Sequence, residues 1–126
     1  MKHLFVPYEL ALLAKEKGFD EPCLGCYASF YESTSPYHYT EYKEEFNDYD
    51  VFVQSPLYQQ LTDWFRDEHN ISVDVINRHN NKEEWGFYLV NTILSEDNNL
   101  DFDSIKSYKS YYEALTAALT ESFNLI

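Results

Sequence analysis

Residues 55–75 read SPLYQQLTDWFRDEHNISVDV, and within them the apolar period changes from helical to extended. Leu57, Leu61, Trp64 and Phe65 recur at i, i+4, i+7 and i+8, which lays one apolar stripe along a helix. Asp63, Arg66, Asp67 and Glu68 occupy the other side. Ser55-Pro56 predicts the start, a capping hydroxyl followed by a proline whose missing N–H is not needed in the first turn. Asn70 predicts the stop. Ile71, Val73 and Val75 then alternate with Ser72 and Asp74, the pattern of a half-buried strand. Helix and strand each have one apolar face to cover, which makes this an α+β chain.

Toward the C-terminus, Trp85, Phe87, Leu89 and Ile93 alternate after the polar run Asn77-Arg78-His79-Asn80-Asn81-Lys82, predicting a hairpin with the preceding strand. Ser95 to Ser104 (SEDNNLDFDS) reads as a mobile loop. Ser110 and Glu113 have capping-box spacing, so a helix should run from there to the chain end. Its predicted buried stripe is Tyr112, Leu115, Leu119, Phe123 and Ile126. Toward the N-terminus, Val51-Phe52-Val53 reads as a short strand. Cys23 to Glu32 and Tyr37 to Lys43 read as a hairpin around Ser33-Thr34-Ser35-Pro36. A first helix should open at Pro7, bury Leu10, Leu13 and Ala14, and stop at Gly18 in a left-handed turn with Phe19 folded back. The predicted order is α-β-β-β-α-β-β-α: a single α+β domain over residues 1–126 with three helices and an antiparallel sheet of about four to five strands. No Gly-rich loop joins a strand to a helix, which rejects a Rossmann or P-loop reading.

Composition narrows the function classes. Twenty-two acidic residues against nine basic ones give a net charge of −13. That field repels phosphate, so direct nucleic-acid binding and anionic membrane surfaces are disfavoured and a basic protein partner is favoured. A solvated acidic surface needs no partner at all. Two cysteines are too few for a disulfide framework, and the first residues hold no long apolar run. The expected compartment is therefore the cytoplasm.

The motifs that could carry chemistry are all incomplete. Cys23-Leu24-Gly25-Cys26 is a CxxC set among strand residues, whereas a redox pair wants its thiolate at a helix N-terminus. A zinc site would need two further ligands, and the nearest histidine is His38. Asp97, Asn99 and Asp101 have the spacing that opens a calcium loop, yet Phe102 stands where its glycine should be and Tyr108 where its glutamate should be. His3, His38, His69 and His79 are dispersed, with His69 placed to interact with a helix C-terminus. No cofactor or metal is implied, and no catalytic residue is assigned.

What remains is surface chemistry. Tyr37, Tyr39 and Tyr42, with Phe46 and Tyr49, interleave with Glu41, Glu44, Glu45, Asp48 and Asp50. Such a stretch either packs a small sheet or faces a protein partner, because tyrosines bury area at little rotamer cost. A second acidic cluster is Glu96, Asp97, Asp101 and Asp103.

Three blocks also resemble a known group. They are Phe5 to Cys23 (FVPYELALLAKEKGFDEPC), Ser55 to Val75 and the closing Tyr112-Glu113-Ala114-Leu115 helix, with PYE…GFDEPC and PLYQQ…DWFR the specific parts. Together they resemble a large set of small uncharacterised proteins encoded by tailed phages and prophages of Bacteroidetes bacteria. Residues 27–54 carry none of the likeness. The resemblance implies a mobile element acting inside a bacterial host and implies no activity.

The expectation is thus a non-enzymatic accessory protein that binds a host or phage protein, with homodimerisation as one way to protect a sheet face or edge. A second reading is an acidic nucleic-acid mimic inhibiting a host defence enzyme, its carboxylate rows drawn from 41–50 and 96–103. Duplex DNA carries a charge every ~1.7 Å of axis, which such rows must approach. A third is a small enzyme or ligand-binding domain, which would need a pocket holding a perturbed acid or histidine.

Overall fold

A computed structural model describes residues 2–28, 37–38, 52–80, 82–91, 101–103 and 106–126. The chain divides into two compact units, residues 1–60 and 61–126. The expected α+β class is observed, with three α-helices and antiparallel strand pairing among the described residues. The described strands fall in two sheets of three, where one sheet of about four to five was expected.

In the first unit, a short 3-10 turn (Lys2–Leu4) precedes α1, Tyr8–Glu16. Pro7 occupies the N-cap position, one residue before the expected place, with extended backbone dihedrals. The C-terminal stop is as expected. Gly18 has φ 97°, Phe19 N–H donates to the Ala14 carbonyl at 2.9 Å and Gly18 N–H to the Lys15 carbonyl at 3.2 Å, the paired bonds of a Schellman cap. Phe19 is buried. α1 buries Leu10, Ala11 and Ala14, while Leu13, expected in the stripe, is half-buried.

Strands β1 (Gly25–Ala28), β2 (Tyr37–His38) and β3 (Phe52–Ser55) follow, in the order β2-β1-β3. Cys26 pairs with Tyr37 on one side and with Gln54 on the other. The first hairpin is therefore present. Its turn, the continuations 29–32 and 39–43, and Val51 lie outside the described residues. β3 extends to Ser55, which corrects the helix start: Ser55 is a buried strand residue, not a cap. Leu57 forms an antiparallel bridge with Phe5, and Val6 N–H donates to the Pro56 carbonyl at 3.0 Å. A proline suits this position as well as it suits a helix start, because only its carbonyl is used.

The second helix, α2, is Tyr58–His69. It ends as expected at Asn70, whose φ of 58° lets the chain turn directly into β4, Ile71–Asn77. In the second unit β4 pairs with β5 (Trp85–Asn91), Val75 opposite Phe87 and Asp74 opposite Tyr88. His79 and Asn80 take positive φ in the hairpin turn. β5 also pairs with β6 (Asp101–Asp103), a strand inside the stretch expected to be a loop. Two of its three residues are aspartates, so composition there argues for loop while the pairing partner decides.

The third helix, α3, is Tyr111–Asn124. Ser110 caps it, accepting from Glu113 N–H at 3.2 Å, and the Glu113 carboxylate accepts from Lys109 N–H at 3.1 Å. Leu115, Leu119 and Phe123 are buried as expected, joined by Ala114, Ala118 and Ser122. Tyr112 is only half-buried and Ile126 is exposed, because the helix ends before a further turn could carry Ile126 inward. One part of this unit's core joins Phe87 and Leu89 to Ala118, with Val73, Val75, Tyr108 and Ala117 against them. Another is aromatic: Phe65 meets Phe123 edge-on at 4.6 Å, and Trp64 meets His69 edge-on at 4.5 Å.

Candidate functional site

Most of the residues singled out for interaction lie outside the described residues: Tyr39, Glu41, Tyr42, Glu44, Glu45, Asp48 and Asp50, and Glu96 and Asp97. Tyr37 is placed by its backbone on β2, opposite Cys26. Asp101 and Asp103 are placed on β6, opposite Val90 and Tyr88. Of the nine carboxylates that a nucleic-acid mimic would have used, the described backbone thus places two, two residues apart on one strand.

The CxxC is built as structure. Cys26 lies within β1 and is 4% exposed. Cys23 precedes the strand, its N–H donating to Gln54 Oε1 at 3.2 Å and its thiol to the Glu21 carbonyl at 3.4 Å. Gln60 Nε2 ties down the adjacent Pro22 carbonyl at 2.9 Å. Burial, and then the charge of Glu21, push the Cys23 thiol up to about 12. A redox thiol needs the opposite shift. Both cysteines are free thiols.

Next to it, Tyr27 Oη donates to the Val6 carbonyl at 2.7 Å, and the Tyr27 ring stands edge-on to Tyr8 at 5.6 Å. Burial raises the Tyr27 phenol above its ordinary range, with the Ser55 hydroxyl acting in the opposite direction. This phenol pins the chain before α1 to the sheet.

The histidines are spread over different elements. His3 is exposed, His38 lies on β2, His69 packs on Trp64, and His79 is exposed in the hairpin turn. Among the described residues, no three His, Cys, Asp or Glu side chains gather as a metal site. No described helix is long and apolar enough to cross a membrane.

The second sheet presents an outward face. Phe87 and Leu89 face α3, so strand alternation sends Gly86, Tyr88 and Val90 to the other face, with Ser72, Asp74 and Ile76 from β4. Tyr88 is 38% exposed, and Asp74 beside it is exposed. Cross-strand register completes a row, Asp74–Tyr88–Asp103. Directly opposed residues are nearest neighbours across a sheet, so the register sets these three positions side by side. Gly86 serves a neighbour: a Cβ there would stand 2.6 Å from Arg78 Nη2 and 2.8 Å from Cζ, so the guanidinium lies over the bare backbone.

On α2, Arg66 donates to Asp63 at 2.9 Å and to Asp67 at 3.0 Å. The row of Asp74, Tyr88 and Asp103 went unnamed in the sequence, although it is the complement of the Trp85-Phe87-Leu89 alternation. No family model, curated protein or solved structure matches this chain.

Proposed function

We propose that the protein acts by binding another protein, with the sheet face around Tyr88 as the contact and a basic surface as its complement. The observation that carries this is Tyr88 itself, a large aromatic 38% exposed on a regular strand and flanked by carboxylate residues in cross-strand register. An exposed tyrosine supplies rigid contact area with a polar tip, the kind of residue that anchors interfaces. The net charge of −13 supplies long-range attraction for a cationic partner and speeds the encounter. The resemblance of its PYE…GFDEPC and PLYQQ…DWFR blocks to small phage and prophage proteins supports reading it as a mobile-element accessory protein whose partner is in the cytoplasm of a bacterial host.

The test is affinity capture from a bacterial host with the wild-type chain and with Tyr88→Ala plus Asp74→Lys. A specific protein that binds saturably should be recovered by the wild type. The double variant should hold it at least about tenfold more weakly, as expected for loss of an anchor and reversal of a charge. Equal recovery by both proteins would overturn this face as the contact.

A further inference from the structure

The outer face of the second sheet already holds one guanidinium. Arg78 follows β4, its N–H donating to the Glu84 carbonyl at 2.7 Å, and its side chain comes back over the sheet. With Nη2 and Cζ 2.6 and 2.8 Å from where a Gly86 Cβ would stand, the guanidinium covers bare strand backbone. The next residue of β5 on the same face is Tyr88, about 7 Å further along the strand. Asp74 stands opposite Tyr88 on β4, and Asp103 stands opposite it on β6. Past β6 the chain meets β5 again at the Trp85–Tyr108 bridge. There Trp85 N–H donates to the Tyr108 carbonyl at 2.9 Å and Tyr108 N–H to the Trp85 carbonyl at 2.7 Å.

The charges around Tyr88 are unequal. Asp74 and Asp103 stand directly opposite it, and Asp101 stands opposite Val90, two residues along β5. Among the described residues Arg78 is the one cation placed on this face. Three carboxylate residues against one guanidinium make a cationic group the complement. A metal ion fits poorly. Asp74 and Asp103 are two strand spacings apart, about 9.5 Å, with Tyr88 between them, whereas two oxygen ligands of one cation lie within about 5 Å of each other. A cationic side chain seated over Tyr88 lies about one strand spacing from each carboxylate position.

We propose that this face takes an arginine of the partner protein in preference to a lysine, its guanidinium stacked on the Tyr88 ring and donating to Asp74. The inference rests on the reading of this face as the contact and names the group that the face recognises. A lysine ammonium is a compact, strongly hydrated point charge, which sits over a ring or beside a carboxylate. A guanidinium is planar and weakly hydrated, so it can stack on the ring while its edge donates to a carboxylate in its own plane. Arg78 shows that this surface accepts such a group against the sheet. Tyr88, 38% exposed beside the exposed Asp74, is open to a second one.

The test uses the full chain and three fluorescein-labelled decapeptides, read by fluorescence anisotropy at low salt. They alternate Gly with Arg, with Lys, or with citrulline, the uncharged isostere of arginine. A chain of net charge −13 attracts both cationic peptides, so the deciding quantity is the ratio of their dissociation constants. The Arg peptide should bind about fivefold more tightly than the Lys peptide, and the citrulline peptide more weakly than either. Tyr88→Ala should bring the ratio to about one, and Tyr88→Phe should keep it. Asp74→Asn should weaken the Arg peptide more than the Lys peptide. Tyr88 and Asp74 are exposed, so matching circular dichroism melts will show that the variants fold. No binding of the Arg peptide, equal binding of it and either comparison peptide, or a preference that survives Tyr88→Ala would overturn the inference. The contact is judged separately: a captured protein that depends on Tyr88 and Asp74 would keep the contact while the arginine preference falls.

Discussion

Among the described residues the two sheets each hold three antiparallel strands, yet their central strands meet their surroundings differently. On β1 the consecutive residues Cys26 and Tyr27 are 4% and 2% exposed, so that strand is covered on both faces. On β5 the consecutive residues Phe87 and Tyr88 are 1% and 38% exposed, so one face packs against α3 and the other meets solvent. Antiparallel sheets tolerate a solvated face, and among the described residues β5 shows one where β1 does not. The difference separates their roles. A strand buried on both sides has no face to offer a partner, and its CxxC and phenol serve to hold the chain together. The second sheet can be read twice, inward as core and outward as surface.

The largest test of that contrast is the pattern of stability cost along each strand, measured by equilibrium urea unfolding. On β5 the cost should alternate: Phe87→Ala about 3–5 kcal/mol and Tyr88→Ala about 0.5 kcal/mol or less. On β1 it should not alternate. Tyr27→Phe strands the buried Val6 carbonyl, and Cys26→Ser puts a hydroxyl where a thiol packs, each at about 1–3 kcal/mol. A large loss at Tyr88, or none at Cys26, would break the comparison.

The same contrast governs how much of the molecule was legible in its residues. Stops and caps set by neighbours within a turn could be read: Gly18, Asn70 and the Ser110–Glu113 box all stand where the pattern puts them. The alternation in 71–75 and 85–89 could be read because one face of that sheet is wet. On β1 there is no alternation to read. Ser55-Pro56 misled because a proline suits the end of β3 as well as a helix start, and the choice is made by Phe5, paired with Leu57 from far along the chain. Long-range pairing also hid the surface features. Tyr88 joins Asp103 through β6, and Trp85 joins Tyr108, and neither pairing leaves a local trace. The acidic segments singled out from composition were visible as charge alone, which says nothing of what stands opposite it.

A second test concerns the buried side of the comparison. With the Cys23 thiol pushed up to about 12 from 9.0, its thiolate fraction at pH 8 is lower than in an unfolded chain by on the order of 10³. Iodoacetamide should therefore label the native protein far more slowly than the urea-unfolded one, with Cys26 slowed further by burial. The linkage follows in sign. The folded state holds the proton more tightly than the unfolded state, so this contribution to stability is full below about pH 9. It declines as pH rises toward about 12. Cys23→Ala should flatten that decline in urea midpoints taken between about pH 8.5 and 10.5. Rapid native labelling near pH 8 would instead return Cys23 to the redox candidates.

The smallest effect is the most specific to the outer face. Gly86 has no positive φ, so nothing in its backbone demands glycine, and a Gly→Ala change in a strand should gain about 0.4–1 kcal/mol from the unfolded chain. Here the added methyl meets the Arg78 guanidinium, which has to move off the strand. Gly86→Ala should therefore destabilise by about 1 kcal/mol, the lower end of overpacking costs because the obstacle is the end of a flexible side chain. In an Arg78→Ala background the obstacle is gone, and the same change should become neutral or stabilising. The sign reversal measures the coupling directly, since the two residues touch and their effects cannot add. If Gly86→Ala costs the same in both backgrounds, the guanidinium does not rest on this strand. The face around Tyr88 would then lose the one cation placed on it among the described residues, and its acidic character would be stronger.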